Sequence, residues 1–301
     1  SLHYLLVRDS IHGPINKDIT LDGNFLIAND QKVRILPGGE PGKIPWDSFN
    51  VDVLIDATGK YRKSADLQKH IDAGAKRVIV TVPPNDEIDR IVIPGINEET
   101  IELSDQVIST TSSTTQVLAL MLKMLDEKFG VKRAMMTTIH AYTSDQPLAD
   151  SAQADLRRSR SAVENIIPNK TWAPGFVEKI MPQFSGKIAG TAFNVPVSNG
   201  SSVDLTTELN HLPSVDVVNE AIKSFADSSL KSIVGYTDDP IVSRDVIGCS
   251  ETMIFDAKAT MISANALLKT VCWYDNGWGF SARILELIKS YQSLENKGDA
   301  S

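Results

Sequence analysis

The run from residue 51 to residue 82 constrains the fold more than any other part of this sequence. Val51 to Thr58 is a short stretch rich in β-branched residues and reads as a strand. Ser64 to Ala73 then offers an N-cap serine and helix-forming residues that stop at Gly74, and Arg77 to Val82 is β-branched again. Strand, helix and strand in this order make a βαβ unit, whose crossover forces the two strands to lie parallel in one sheet. A third strand, Gln106 to Thr111, leads straight into a very apolar helix, Thr114 to Phe129, ended by Gly130.

After Gly130 the pattern changes to β-rich segments joined by loops. These are Ala134 to Tyr142, Ile188 to Pro196, Ser202 to Leu209, Ser232 to Thr237, Ala259 to Ser263 and Leu267 to Trp273. Such a run predicts a mainly antiparallel sheet, interrupted by one helix over Val215 to Ala226. From Phe280 onward, Leu, Ile, Glu and Lys alternate as an amphipathic terminal helix that can pack back on the first sheet. At 301 residues the chain exceeds what one core usually serves, so two domains are expected. The run Pro37 to Gly42 has neither G-x-G-x-x-G spacing nor a following helix, and is read as a turn.

Composition narrows the function classes. A formal net charge of -8 repels phosphate backbones and anionic membrane surfaces, which disfavours nucleic acid as a partner. The local cluster of Arg157, Arg158 and Arg160 can still hold one anion. No apolar run reaches the roughly 20 residues of a membrane-spanning helix, so direct membrane insertion is not expected. Cys249 and Cys272 are the only cysteines, which argues against a disulfide framework. Cys272 lies in an apolar run and reads as a buried structural thiol; nothing near Cys249 explains a lowered pKa. Neither is expected to be catalytic, and no residues are assigned to a metal.

A family resemblance emerges from blocks in order along the chain. These are Asp9-Ser10-Ile11-His12-Gly13-Pro14, Ile44-Pro45-Trp46, His140-Ala141-Tyr142-Thr143, Asp155-Leu156-Arg157-Arg158, Val242-Ser243-Arg244-Asp245 and Trp273-Tyr274-Asp275-Asn276. Together they resemble glyceraldehyde-3-phosphate dehydrogenase from end to end. The resemblance implies an α/β chain with an incomplete Rossmann-type parallel-sheet cofactor domain and an α+β catalytic domain. Residues 1–112 with the terminal helix 279–301 would form the first, and residues 113–278 the second. It also implies NAD as cofactor, a homotetramer and a cytoplasmic location. Because the sequence begins at Ser1 without a methionine, an organellar location stays open.

In that family a cysteine thiolate attacks an aldehyde, a histidine handles the proton, a hydride passes to NAD, and phosphate releases the acyl group. The nucleophile position falls in Ser112-Ser113-Thr114-Thr115-Gln116, with Ser113 where the family has cysteine and Gln116 where it has asparagine. A helix N-terminus helps to generate a thiolate from a thiol that titrates at about 8.5; a serine hydroxyl is a far weaker acid and needs an aligned base. His140 matches the family's catalytic histidine. Ser113 and His140 are either an acyl-transferring pair or inherited and idle, and the lack of a recognisable orienting carboxylate favours idle.

By resemblance, Ser112, Thr114, Thr143, Arg160 and Thr171 match positions around the bound anions. Asp145 replaces a threonine and would repel an anion, and Asn194 replaces the substrate-phosphate arginine. Trp172 stands where the phosphate loop has a glycine and is expected to fill that pocket, and Gly175 replaces a lysine. On the cofactor side, Thr58, Gly59, Thr81, Tyr274 and Asn276 match, while Gly277 stands for a glutamate.

The family's opening βαβ, with its G-x-G-x-x-G, would precede Leu2. Without its central strand, Val51 to Thr58 would lose ladder partners. Either an N-terminal piece is lacking, another chain supplies it, or the domain is rebuilt against a partner. The expected function is therefore a family homologue impaired in the phosphorylating reaction that acts as a binding or structural subunit of a homo-oligomer or larger assembly. The alternative is an NAD-dependent aldehyde dehydrogenase or Ser-His acyl hydrolase of altered specificity.

Overall fold

The computed structural model describes residues 2–15, 18–29, 31–263 and 266–298. A single-turn helix, α1 (Leu2–Leu6), precedes a largely exposed three-stranded antiparallel sheet of β1 (Ile19–Asp22), β2 (Phe25–Ala28) and β3 (Gln31–Arg34). The predicted βαβ unit follows as β4 (Val53–Asp56), α2 (Ser64–Asp72) and β5 (Arg77–Val80). With β6 (Arg90–Ile91) and β7 (Val107–Ser109) it builds a wholly parallel sheet in the order β4-β5-β7-β6. This is the Rossmann-type half. β4 pairs only with β5; among the described residues no strand covers its other edge, where Ile55 is 40% exposed.

One local expectation is corrected here. Ser64 is the first helical residue of α2 and not its N-cap, which is Lys63 and makes no side-chain cap. The Asp86 carboxylate takes its place by accepting the Ser64 N–H at 2.7 Å. The orphan donor at a helix start needs an oxygen, and the chain supplies it from 22 residues downstream.

The apolar helix is α3 (Ser113–Phe129), with Gly130 as its C-cap at φ +66°. Every residue from Val117 to Leu122 is at most 2% exposed, so the helix is buried all round rather than on one stripe. Beyond it run β8 (Val131–Ala141), β9 (Ile167–Asn169), α4 (Ala173–Ile180), β10 (Ile188–Val195) and β11 (Ser201–Leu209). The chain closes with α5 (Val215–Asp227), β12 (Val234–Thr237), β13 (Met253–Asp256), β14 (Met261–Ser263), β15 (Leu267–Tyr274) and α6 (Trp278–Gly298).

The second sheet has eight strands, seven in the order β12-β13-β15-β11-β8-β10-β9, with β14 paired to β15. Five of its pairings are antiparallel; β8 with β10 and β12 with β13 are parallel. A mainly antiparallel sheet was the expectation. One face of it packs on α3, through Met136, Val203, Leu205, Leu268 and Cys272.

The terminal helix returns to the parallel sheet. Ile284, Leu287 and Tyr291 of α6 bury against Ile79, Val92, Ile101 and Ile108. The Tyr291 hydroxyl donates to the Asp105 carbonyl at 3.2 Å, and the Asp105 carboxylate is held in turn by the Arg90 guanidinium at 2.5 and 3.1 Å.

Gly200 lies just before β11 at φ +82°, and a Cβ there would lie 2.0 Å from the Ser243 carbonyl oxygen. Gly200→Ala therefore combines backbone strain with a backbone clash, and is expected to cost about 2–4 kcal/mol. Urea unfolding of the variant beside the parent checks this.

Candidate functional site

The site begins where β7 turns into α3. Thr111 is fully buried in this turn at φ +63°, in the left-handed region that β-branched residues avoid at a cost of about 1–3 kcal/mol. Its surroundings enforce the conformation. The Thr111 N–H donates to Ser109 Oγ at 2.9 Å and its hydroxyl to the Thr110 carbonyl at 2.6 Å. Gln116 reaches back from the helix to donate to the same Thr110 carbonyl at 3.0 Å. The strained turn sets Ser112 as N-cap, where its Oγ accepts the Thr115 N–H at 3.2 Å. The N–H groups of Ser113 and Thr114 have no partner among the described residues, so the positive end of α3 offers two free donors.

A cavity of about 340 Å³ opens over this helix end. Ser112 and Thr114 line it from α3, His140 and Asn194 from β8 and β10, and Thr143, Asp145 and Thr171 from the loops. Seven predicted site residues thus meet in one place. Arg62 and Pro83 close it from the parallel-sheet side, with Arg158 and Lys170 opposite. Ser113 is partly buried beside the cavity and makes no hydrogen bond to His140.

His140 is oriented by main chain. Its Nδ1 lies 2.7 Å from the Ala141 carbonyl, which can only accept, so Nδ1 carries the proton and Nε2 is left as acceptor. The Asn276 amide nitrogen sits 3.3 and 3.4 Å from the two ring nitrogens. Burial pushes the imidazole below its ordinary value, against weaker opposition from the Ala141 carbonyl and the Asp145 charge. No carboxylate is hydrogen-bonded to it among the described residues.

Several expectations need correction. Arg160 is outside the cavity and exposed, paired with Asp150 at 3.1 Å. The arginine that reaches the cavity is Arg158, whose backbone N–H and that of Arg157 are gathered by the Asp155 carboxylate at 3.3 and 2.9 Å. The sequence showed three arginines within four positions, and only the turn made by Asp155 decides which one faces inward. Asp145 was read as repelling an anion; instead it holds Arg158 and accepts the Thr143 hydroxyl. Trp172 does not fill the cavity: it is 70% exposed at the rim.

Tyr274 cannot touch a cofactor directly, being 1% exposed. Its hydroxyl lies 2.8 Å from Thr114 Oγ1 and 3.1 Å from Thr138 Oγ1, and Thr138 donates to the Ser202 carbonyl. Thr114 therefore offers an anion its main-chain N–H, while its hydroxyl is occupied by Tyr274. Thr171, just before the α4 N-cap, accepts the Ala173 N–H at 3.3 Å, and buried Asn194 contacts Asn169 and the Ala141 carbonyl at 3.4 Å. Burial, aided by the Glu251 and Asp275 charges, raises the Cys249 thiol, and Cys272 is fully buried with its thiol raised by desolvation. Neither borders the cavity.

The carboxyl ends of β4, β5 and β7 are level, with Asp56 opposite Val80 and Val80 opposite Ser109. The loops just beyond carry Thr58, Gly59 and Thr81, and this edge is where doubly wound sheets bind dinucleotides. Asp56 organises it: its carboxylate accepts the Thr58 hydroxyl and N–H at 2.6 and 2.9 Å, and its carbonyl accepts the Thr81 hydroxyl at 3.2 Å. Gly59 sits exposed at φ +69° with open space where a Cβ would be. On the other wall, Ser201 donates to Asn276 Oδ1 at 2.6 Å and so turns the amide N–H₂ toward His140. These residues fit a nicotinamide dinucleotide. Asn276 would hold its carboxamide, and Thr58, Gly59 and Thr81 the adjoining part.

A parallel, Rossmann-type sheet thus leads through the N-terminus of a buried helix to a histidine on the second sheet. Residues 112–276 match the family model for the glyceraldehyde 3-phosphate dehydrogenase C-terminal domain, and residues 1–64 match that for its NAD binding domain. The chain is 40% identical to glyceraldehyde-3-phosphate dehydrogenase 1 of Bacillus cereus over 288 residues, covering 95% of this chain and 86% of that protein. It is 41% identical to glyceraldehyde-3-phosphate dehydrogenase 1 of Bacillus subtilis (strain 168), over 95% of this chain and 85% of that one. The glyceraldehyde-3-phosphate dehydrogenase of Mycobacterium avium is 42% identical over 96% and 85%. The chain belongs to the glyceraldehyde-3-phosphate dehydrogenase family, and the match to the NAD-binding domain supports NAD as its cofactor.

His140 gives this site a pH signature. The unfolded imidazole titrates near 6.5 and the folded one lower, so between those values the unfolded chain binds more protons and stability falls as pH falls. Nuclear magnetic resonance should place the His140 midpoint below 6.5, and His140→Gln should flatten the stability profile in that window.

Proposed function

We propose that this chain is a glyceraldehyde-3-phosphate dehydrogenase homologue that binds NAD and an anionic ligand but does not carry out the phosphorylating oxidation. It acts as a binding or structural subunit of a homo-oligomer in the cytoplasm, with residues 1–112 and the terminal helix forming the cofactor domain and residues 113–278 the catalytic-type domain. The observation that carries this reading is Ser113 at the first position of α3, without a hydrogen bond to His140.

The family reaction requires a nucleophile that ionises near neutral pH. Two N–H donors and the helix dipole suffice for a thiol that titrates at about 8.5, but a serine hydroxyl must surrender its proton to a base as it attacks. Nε2 of His140 has the right protonation state, yet among the described residues no carboxylate is hydrogen-bonded to the ring and Ser113 makes no hydrogen bond to it. Bound NAD would supply the hydride acceptor, and nothing in the chain's own residues generates the adduct from which a hydride leaves. The substrate side is weakened as well. Asn194 stands in place of a guanidinium, which removes a charge-assisted contact of roughly 2–3 kcal/mol. Arg158, Lys170 and the α3 N–H groups keep the cavity able to hold an anion.

Purified oligomer given NAD, phosphate and glyceraldehyde 3-phosphate should form NADH at a rate at least about 10⁴-fold below a family enzyme assayed beside it, the scale of loss when a nucleophile is removed. Ser113→Cys should restore a single-turnover burst while leaving substrate binding weak. Turnover by the unmodified protein at ordinary family rates would overturn the reading. Acylation of Ser113 that disappears in His140→Ala would replace it with Ser-His acyl transfer.

A further inference from the structure

A second cavity adjoins the site cavity. This neighbour, of about 330 Å³, shares Arg62, Pro83 and Trp172 with it and is walled by Pro84, Phe176 and Lys179. The two differ in which side chains they bring together. The first holds the helix end, Arg158 and Lys170; the second sets Trp172, Phe176 and two prolines beside Arg62, Asn85 and Lys179.

Trp172 stands at the boundary, 70% exposed, an unusual exposure for an indole beside a cavity. Its position is fixed by secondary structure, since it is the N-cap residue of α4 and the helix proceeds through Ala173 and Pro174. Cationic groups surround the pair of cavities. Arg62 spends Nε on the Pro83 carbonyl at 3.0 Å and its terminal nitrogens make no hydrogen bond among the described residues. Lys179 Nζ lies 5.4 Å from the Phe176 ring centroid without a carboxylate partner there. Against Arg62, Arg158, Lys170 and Lys179, the only carboxylate in the two walls is Asp145, already used by Arg158.

We propose that the combined cavity binds a small organic phosphate bearing a flat aromatic ring, with the phosphate over the α3 N-terminus and the ring against Trp172 and Phe176. The proposal rests on the anion-binding part of the reading above and names its ligand class. A triose phosphate has no apolar face to cover an indole. An aromatic ring does, and it prefers an aromatic wall flanked by cations. Gly175 leaves the room for it: its backbone lies outside the positive-φ region and nothing stands within 4 Å of a Cβ built there.

Isothermal titration of the intact protein with inorganic phosphate and with 2-naphthyl phosphate, with and without saturating NAD, tests this. The expected result is at least tenfold tighter binding of the naphthyl ester, retained in the presence of NAD. Trp172→Ala should bring the ratio close to one. Gly175→Leu, which fills the second cavity from an unstrained position, should remove the gain while inorganic phosphate binds as before. Equal affinities, a gain that survives both substitutions, or a gain abolished by NAD because the ring sits in the cofactor's place would each overturn the proposal. NADH formation plays no part in these readouts, so failure here is separable from failure of the proposed inactivity.

Discussion

The burial of α3 is the constraint on which the rest of the structure depends. A helix apolar on one side can be moved or tilted to suit a site; one enclosed from Val117 to Leu122 on all faces cannot. Its side chains meet the eight-stranded sheet on one flank and Ile93, from the parallel-sheet half, elsewhere, so both halves are referred to a single rod. Each buried leucine contributes about 1.5–3 kcal/mol to holding that rod in place. The N-terminal turn of α3 is therefore as rigid as the core, and whatever meets Ser112, Ser113 and Thr114 meets a surface that does not yield.

Rigidity at one end makes the strained turn at Thr111 intelligible. The chain must leave β7 and enter the helix within three residues, and the left-handed step at Thr111 accomplishes the reversal. Gln116 ties the helix to that step through Thr110, with its carbonyl oxygen left unpartnered in the core. The strain is offset by α3's burial and by hydrogen bonds on both sides of Thr111. It is stored in the turn that leads directly into Ser112 and Ser113 at the start of α3.

Most of the scaffold was legible in the sequence because it follows from periodicity. The βαβ unit, the buried helix and its glycine stop, and the β-rich second half are set by residue pattern over windows of ten or more positions. The misread features depend on single side chains whose direction is set by distant partners. Ser64 looks like an N-cap, but Asp86 does that work from another loop. Arg160 and Arg158 are indistinguishable until the Asp155 turn orients them. Asp145 reads as a repulsive charge in a sequence and as an arginine's counterion in space. Trp172 was recognisable as out of place, yet whether an indole fills a cavity or borders it depends on the path of α4.

The row of hydroxyls beneath the site carries a directionality. Because the Ser202 carbonyl can only accept, Thr138 must donate to it, Tyr274 then donates to Thr138, and Thr114 donates to Tyr274. Thr114 therefore has no hydroxyl hydrogen left for an occupant of the cavity, and its main-chain N–H is the donor it presents there. An anion over the helix end is met by hydrogens whose directions are set by the helix backbone and not by a rotating hydroxyl.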